Sequence, residues 1–161
     1  MMRLASFHFP YLSNMTQPQP FTVQIADWSE QHDALAKIRI DVFVNEQNVP
    51  AEMELDEHDA KAVHVAACDG AGNVIGTGRL LLNQPIPRIG RMAVVKSWRS
   101  VGVGAKILET LCDVAKERGF EKVMLHSQTH ASPYYFMHGF LSRGTEFFEA
   151  GIPHQAMHKH I

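Results

Sequence analysis

The stretch from Ser97 to Ala105, SWRSVGVGA, sets Gly102 and Gly104 where a run of good helix formers is about to begin. Glycine inside a helix costs roughly 0.5–1 kcal/mol relative to alanine, so its use here points to backbone that something approaches closely. A helix start offers unpaired N–H groups and the positive end of the helix dipole. Together these make an anion site. Arg99, just ahead of the glycines, adds a charge suited to a phosphate oxygen. Three phosphate-binding patterns compete. A P-loop requires Gly-Lys-Ser/Thr, whereas Lys106 lies between Ala105 and Ile107. A dinucleotide fingerprint requires a third glycine where Ile107 stands. The pattern that fits is arginine or glutamine, two residues, glycine, one residue, then glycine or alanine, met by Arg99, Gly102 and Gly104. The hexapeptide alone leaves open a loop that merely turns the chain.

Two further groups of residues bear on chemistry. The segment from Glu46 to Asp59 carries Glu46, Glu52, Glu54, Asp56, Glu57 and Asp59. One carboxylate attracts an ammonium at 4 Å by about 4 kcal/mol at an effective dielectric near 20, before desolvation. The segment is therefore either a lip for a cationic ligand or a solvated face. His154, His158 and His160 share one face if their segment is a strand. No neighbouring cysteine or carboxylate completes a tetrahedral set, so no metal site is expected.

The elements that must position these groups follow from pattern. A strand is expected over Phe21–Asp27, then a helix over Glu30–Val44 with Ala34, Ile38 and Val42 on one face. Two strand-like runs, Lys61–Asp69 and Asn73–Leu82, flank the turn-rich DGAGN and predict a hairpin. Arg88–Val95 reads as a strand, and Val101–Glu117 as a helix with Ile107, Leu111 and Val114 on one stripe, stopped by Gly119. A buried strand (Glu121–Gln128), a brief helix (Ser132–His138) and two strand-like pieces (Phe140–Glu149, His154–Lys159) complete the chain. The fold class is mixed α/β: one largely antiparallel sheet flanked by helices.

Size and composition bound the rest. A chain of 161 residues with 45% apolar and 20% charged residues is one ordinary globular domain. Residues 1–20 read as a flexible N-terminal arm ending in the linker-like TQPQP, with Met15 as an alternative start, and make a poor signal peptide. A net charge of −2 and the lack of a basic stripe interleaved with aromatics argue against nucleic acid. No apolar run reaches the roughly 18 residues of a membrane span. Cys68 and Cys112 form neither a disulfide framework nor a zinc spacing, which fits a reducing, cytoplasmic setting.

With its Arg99–Gly104 loop, the chain resembles the GNAT-type N-acetyltransferases. Ile38–Asp59, IGTGRLL, RIGRMAVV and Glu146–Lys159, which contains Gly151-Ile152-Pro153-His154 and Met157, make it similar to the ElaA-like branch. The resemblance covers residues 21–161, the expected N-acetyltransferase domain. It implies the GNAT acyl-CoA N-acyltransferase fold, in which a parallel central pair of strands splays apart around acetyl-CoA. The implied reaction is direct attack of an acceptor amine, on a small molecule or a protein, upon the thioester.

The same resemblance assigns roles. Amides of Gly102, Val103, Gly104 and Ala105 are expected at the pyrophosphate, with Arg99, Ser100 and Val101 nearby. Met92, Ala93 and Val94 are expected along the pantetheine arm. The Met92 N–H is the candidate oxyanion donor, a kind of contact whose loss costs about 2.7–4 kcal/mol. Tyr135, four residues before Gly139, is the expected acid for the departing thiolate. The reference pKa of about 10 for tyrosine, against about 8.5 for a thiol, allows this.

Glu149 and His154 are the expected base or acceptor contacts, with His64 and His126 as alternatives. Glu46, Glu52, Glu54 and Gln128 are expected at the acceptor. A homodimer is an open option, since dimers are common for this fold. Ser100 departs from the glycine usual at its position, and Phe136 and His138 depart from the FYxxxGF pattern. Two other readings stay open: an acyl-homoserine-lactone-synthase-like transferase, echoed by VFVNEQ and ELDEHD, and a CoA-binding sensor without turnover.

Overall fold

The computed structural model describes residues 19–161. The expected arm of residues 1–20 falls, apart from Gln19 and Pro20, outside them. β1 (Phe21–Ala26) leads into α1 (Trp28–Arg39), whose first turn is capped by Asp27 Oδ1 accepting from the Ser29 amide at 2.8 Å. The helix expected to run on to Val44 changes character at Ile40 and continues to Glu46 as a wider π-helical segment. The acidic segment holds the short helix α2 (Ala51–Glu54).

β2 (Val63–Asp69) and β3 (Val74–Leu81) form the expected antiparallel hairpin. Its turn is fastened by Asp69 Oδ1, which accepts from the amides of Ala71 and Asn73 at 2.9 and 2.8 Å. β4 (Arg88–Val94) is followed by α3 (Val103–Glu117) and β5 (Lys122–Gln128). The Phe120 amide bonds to Ala115 O across Gly119, which stands at φ 86°, so glycine ends α3 as expected. Then come α4 (Ser132–Met137), β6 (Leu141–Ser142), β7 (Phe147–Glu149) and β8 (Ile152–His160). The single strand expected over Phe140–Glu149 is thus two short ones, interrupted around Gly144 at φ 75°.

The strands make one mixed sheet in the order β1-β2-β3-β4-β5-β8-β6, with β7 also on β8. Every pairing is antiparallel except that of β4 with β5. The main core lies between the sheet and α3. There Ile107, Leu111 and Ala115, all fully buried, pack with Val65, Leu80, Ile89, Val123 and Leu125. α3 sits close because Gly78 faces it: a Cβ there would lie 2.7 Å from Ile107 Cγ2 and 2.8 Å from Leu111 Cδ1. Among the described residues no helix is long and apolar enough to cross a membrane.

Candidate active site

The central parallel pair is short. β4 and β5 register only at Arg88–Met124 and Ile89–Leu125, whereas β5 follows β8 over seven residue pairs. Beyond Ile89 the two strands diverge and a cleft opens. A bulge in β4 shapes its wall. Thr77 and Arg79 pair with Ala93 and Gly90, so Arg91 and Met92 stand together opposite Gly78. Arg91 takes φ 53°, a costly value for a side chain. Its guanidinium holds it there by donating to Met53 O at 3.0 Å, Glu54 O at 3.1 Å and Asp56 Oδ2 at 3.2 Å.

At one end of the cleft the chain turns through Arg99–Gly102 into α3. Ser100 and Gly102 take φ 63° and 93°, so Ser100 pays a steric cost that a glycine would avoid. No side chain caps α3; its first backbone bond is Lys106 N–H to Gly102 O. The amides of Val103, Gly104 and Ala105 therefore stand at an uncapped helix start. Beside them lies the Tyr134 hydroxyl, 3.1 Å from where a Gly104 Cβ would be. It is buried and has no hydrogen-bond partner among the described residues. An orphaned donor beside bare amides fits a group rich in acceptor oxygens, as a pyrophosphate is.

Arg99 is placed differently from the expectation. Its Nε donates to Val94 O at 2.9 Å and its Nη atoms lie 2.9 Å from the carboxylate of Glu46. The expected phosphate ligand and an expected acceptor contact thus neutralise each other, and the Val94 carbonyl is already engaged. Met92 and Ala93 keep their places on the diverging strand, and Val101 lies exposed on the loop.

On the face of the sheet opposite α3, a cavity of about 650 Å³ reaches into the cleft. Tyr135 enters it from α4. Burial pushes its hydroxyl up to about 12, with Tyr134 adding to the effect, so it stays protonated across neutral pH. The Met92 sulfur is its neighbour at 4.0 Å.

Glu149 ends β7 at a two-residue turn in which Ala150 and Gly151 both have positive φ, 49° and 73°. The turn sets Glu149 between two histidines. His126 Nδ1 lies 2.7 Å from Oε1, and His154 Nε2 lies 3.9 Å from Oε2. The His126 hydrogen bond holds the Glu149 carboxyl below its ordinary range, against the opposing effect of burial. His154 Nδ1 donates to Ile152 O at 2.8 Å, which fixes the ring with Nε2 turned toward Glu149. Gln128 lines the same cavity and bonds Gln47 Oε1 at 2.8 Å. His64 belongs elsewhere: it is buried, stacked on Trp28 and bonded to Asp59 O.

The acidic lip requires correction at Glu54. That side chain is 2% exposed and turned inward, where Arg39 Nε donates to it at 2.7 Å and Arg91 Nε lies at 3.3 Å. Burial nevertheless pushes its carboxyl up. Asp59, equally buried, accepts from Arg39 and Arg79, each at 2.7 Å, and Asp56 is bonded to Arg79 and Arg91. Three arginines thus bind three of the six carboxylates into a scaffold that fixes the cavity wall. Glu52 remains exposed on α2 and is not among the residues lining the cavity, unlike its neighbours Met53 and Glu54. Sequence reasoning missed this scaffold because Arg39, Arg79 and Arg91 come from three separate elements. Among the described residues no group of His, Cys, Asp and Glu is arranged to hold a metal ion.

A splayed parallel pair, an uncapped glycine-flanked helix start and an acid–base cluster in the adjoining cavity are the features of an acyl-CoA-using transferase. The acetyltransferase (GNAT) domain family matches residues 25–161, and the chain belongs to that family. It is 40% identical over 136 residues to YjcF of Bacillus subtilis, an uncharacterized N-acetyltransferase, covering 84% of this chain and 96% of that one. Among solved structures, Escherichia coli ElaA superposes with TM-score 0.77 at 25% identity, covering 87% of this chain and 99% of its own. An acyl-CoA N-acyltransferase from Pseudomonas aeruginosa superposes with TM-score 0.74 at 28% identity, with the same coverage.

Proposed function

We propose that the protein is an acetyl-CoA-dependent N-acetyltransferase in which the acceptor amine attacks the thioester directly. The observation that carries this reading is the uncapped start of α3, with the orphaned Tyr134 hydroxyl beside it, at the mouth of the β4–β5 cleft. The amides of Gly102–Ala105 and the Tyr134 hydroxyl would hold the pyrophosphate, and the β4 backbone at Met92, which the bulge leaves outside the β3 register, would run beside the pantetheine. Acetyl-CoA supplies the activated acyl group when bound.

The chain's own residues do the rest. Glu149 is anionic at neutral pH and attracts an ammonium. A lysine-like amine, with a reference pKa near 10.4, must give up a proton before it can attack. His126 donates through Nδ1 to Glu149, which leaves Nε2 basic and able to take that proton. Tyr135, kept neutral by burial, holds a proton for the leaving sulfur. Met92 N–H, on the bulge, is the proposed oxyanion donor. The two cysteines are free thiols, in keeping with a reducing cytoplasm.

The test is calorimetry with CoA beside a thiol-release screen of acetyl-CoA against amino acids, polyamines, amino sugars and lysine peptides. Gly104→Glu places an anion at the helix start and is expected to abolish CoA binding. Unaltered CoA affinity in that variant would overturn the placement, and no binding by the wild-type protein would overturn the function.

A further inference from the structure

The cavity's charges are balanced but unequally committed. Arg79, Arg88 and Arg91 line it, as do Glu54, Asp56 and Glu149. Glu54 and Asp56 are consumed by the scaffold arginines. Arg88 and Glu149 are left. Among the described residues Arg88 has no carboxylate within salt-bridge distance, and the side chains facing the Glu149 carboxylate within 4 Å are the imidazoles of His126 and His154. The two are not bonded to each other, although the charge of Arg88 contributes to keeping Glu149 ionised.

Register places Arg88 opposite Leu81 and Gly90 opposite Arg79, so Arg79 and Arg88 share a face of neighbouring strands. Arg79 is 4% exposed, and its Nε has no partner among the described residues. The cavity lining therefore holds one guanidinium without a carboxylate partner, Arg88, and one anionic carboxylate flanked by imidazoles, Glu149, with Phe43, Val49 and Phe148 adding apolar wall.

We infer that the acceptor is an amino acid or a compound like one, whose carboxylate is taken by Arg88 and whose amine is taken by Glu149 and His126. This rests on the reading of the same cavity as the acceptor site of an N-acetyltransferase. A purely cationic acceptor, such as a polyamine, would bring like charge up to the half-buried Arg88 guanidinium and leave it without an anion. A planar carboxylate meets the guanidinium fork through two parallel bonds. The transfer balances with two protons: the ammonium gives one to His126 and on to solvent, the amine nitrogen forms a bond to the acyl carbon as the carbon–sulfur bond breaks, sulfur takes the Tyr135 proton, and the second proton shed by the nitrogen restores Tyr135.

The test uses matched series of leucine, phenylalanine and β-alanine, each as the acid, the carboxamide and the decarboxylated amine. Two readouts apply: kcat/KM for thiol release, and calorimetric binding of the N-acetyl acids and N-acetyl amides to the CoA-loaded protein. A hydrogen-bonded charge is worth about 1.5–3 kcal/mol, so the acids are expected to lead by about tenfold or more in both readouts. Arg88→Met is expected to erase that preference with little change for the amides, and Arg88→Lys to restore part of it. Amides or decarboxylated amines that equal the acids, or a preference intact in folded Arg88→Met, overturn the inference. If no amine is acetylated yet the N-acetyl acids bind selectively through Arg88, the site stands and the transfer reading falls.

Discussion

Asp59→Asn tests whether the buried arginine–carboxylate scaffold holds the cavity wall. Asp59 accepts from Arg39 Nη1 at 2.7 Å and Nη2 at 3.2 Å, from Arg79 Nη1 at 2.7 Å and from the Asp56 amide at 3.1 Å. Burial works to raise its pKa, but the bonds from Arg39 and Arg79 prevail and hold it at about 2, against 3.8 ordinarily. A drop of that size corresponds to roughly 2–3 kcal/mol. Removing one partner from a buried ion pair costs about 3–5 kcal/mol. The variant keeps the shape, and Glu54 and Asp56 remain to share the arginines, so a loss of about 2.5–3 kcal/mol is expected.

For a domain of this size each kcal/mol lowers Tm by roughly 2–4 °C, so the melting temperature should fall by about 5–12 °C. The sign with pH follows from the depressed pKa. The stabilisation is present above the unfolded value and is lost as pH falls from about 4 to about 2. Urea midpoints of the two proteins should therefore differ at pH 7 and converge in that acid window. A Tm change under about 2 °C at pH 7, or a gap that persists unchanged into acid, would refute the scaffold argument.

Gly78→Ala puts a methyl 2.7 Å from Ile107 Cγ2 and 2.8 Å from Leu111 Cδ1, so chemical denaturation should register a loss of about 1–3 kcal/mol. Tyr135→Phe should lower kcat by at least about tenfold, and by about 10²–10⁴-fold if general-acid catalysis is lost in full, while calorimetry finds CoA affinity unchanged. Glu149→Gln should reduce turnover and move the acid limb of the kcat/KM–pH profile, because the carboxylate that orients His126 is gone; an unmoved acid limb would remove Glu149 from the proton path.

The sequence by itself determined the parts whose signals are local. Gly102 and Gly104 before a periodic apolar run announced α3 and its open start, and Asp69–Asn73 announced the β2–β3 hairpin. The strand-like runs Phe140–Glu149 and His154–Lys159 bracketed the turn beside Glu149. Only the tertiary structure decided which charges are free. Glu54 looks as exposed as Glu52 in the chain, yet Arg39 and Arg91 bury it. Arg99 looks ready for phosphate, yet Glu46, 53 residues earlier, holds it. The local pattern does not single out Arg88, and only the pairing of β4 with β3 and β5 sets it in the cavity that Glu149 also lines. Local pattern reports backbone propensity within a turn or two, whereas the partner of a charge is chosen by which strands and helices the packed core brings side by side.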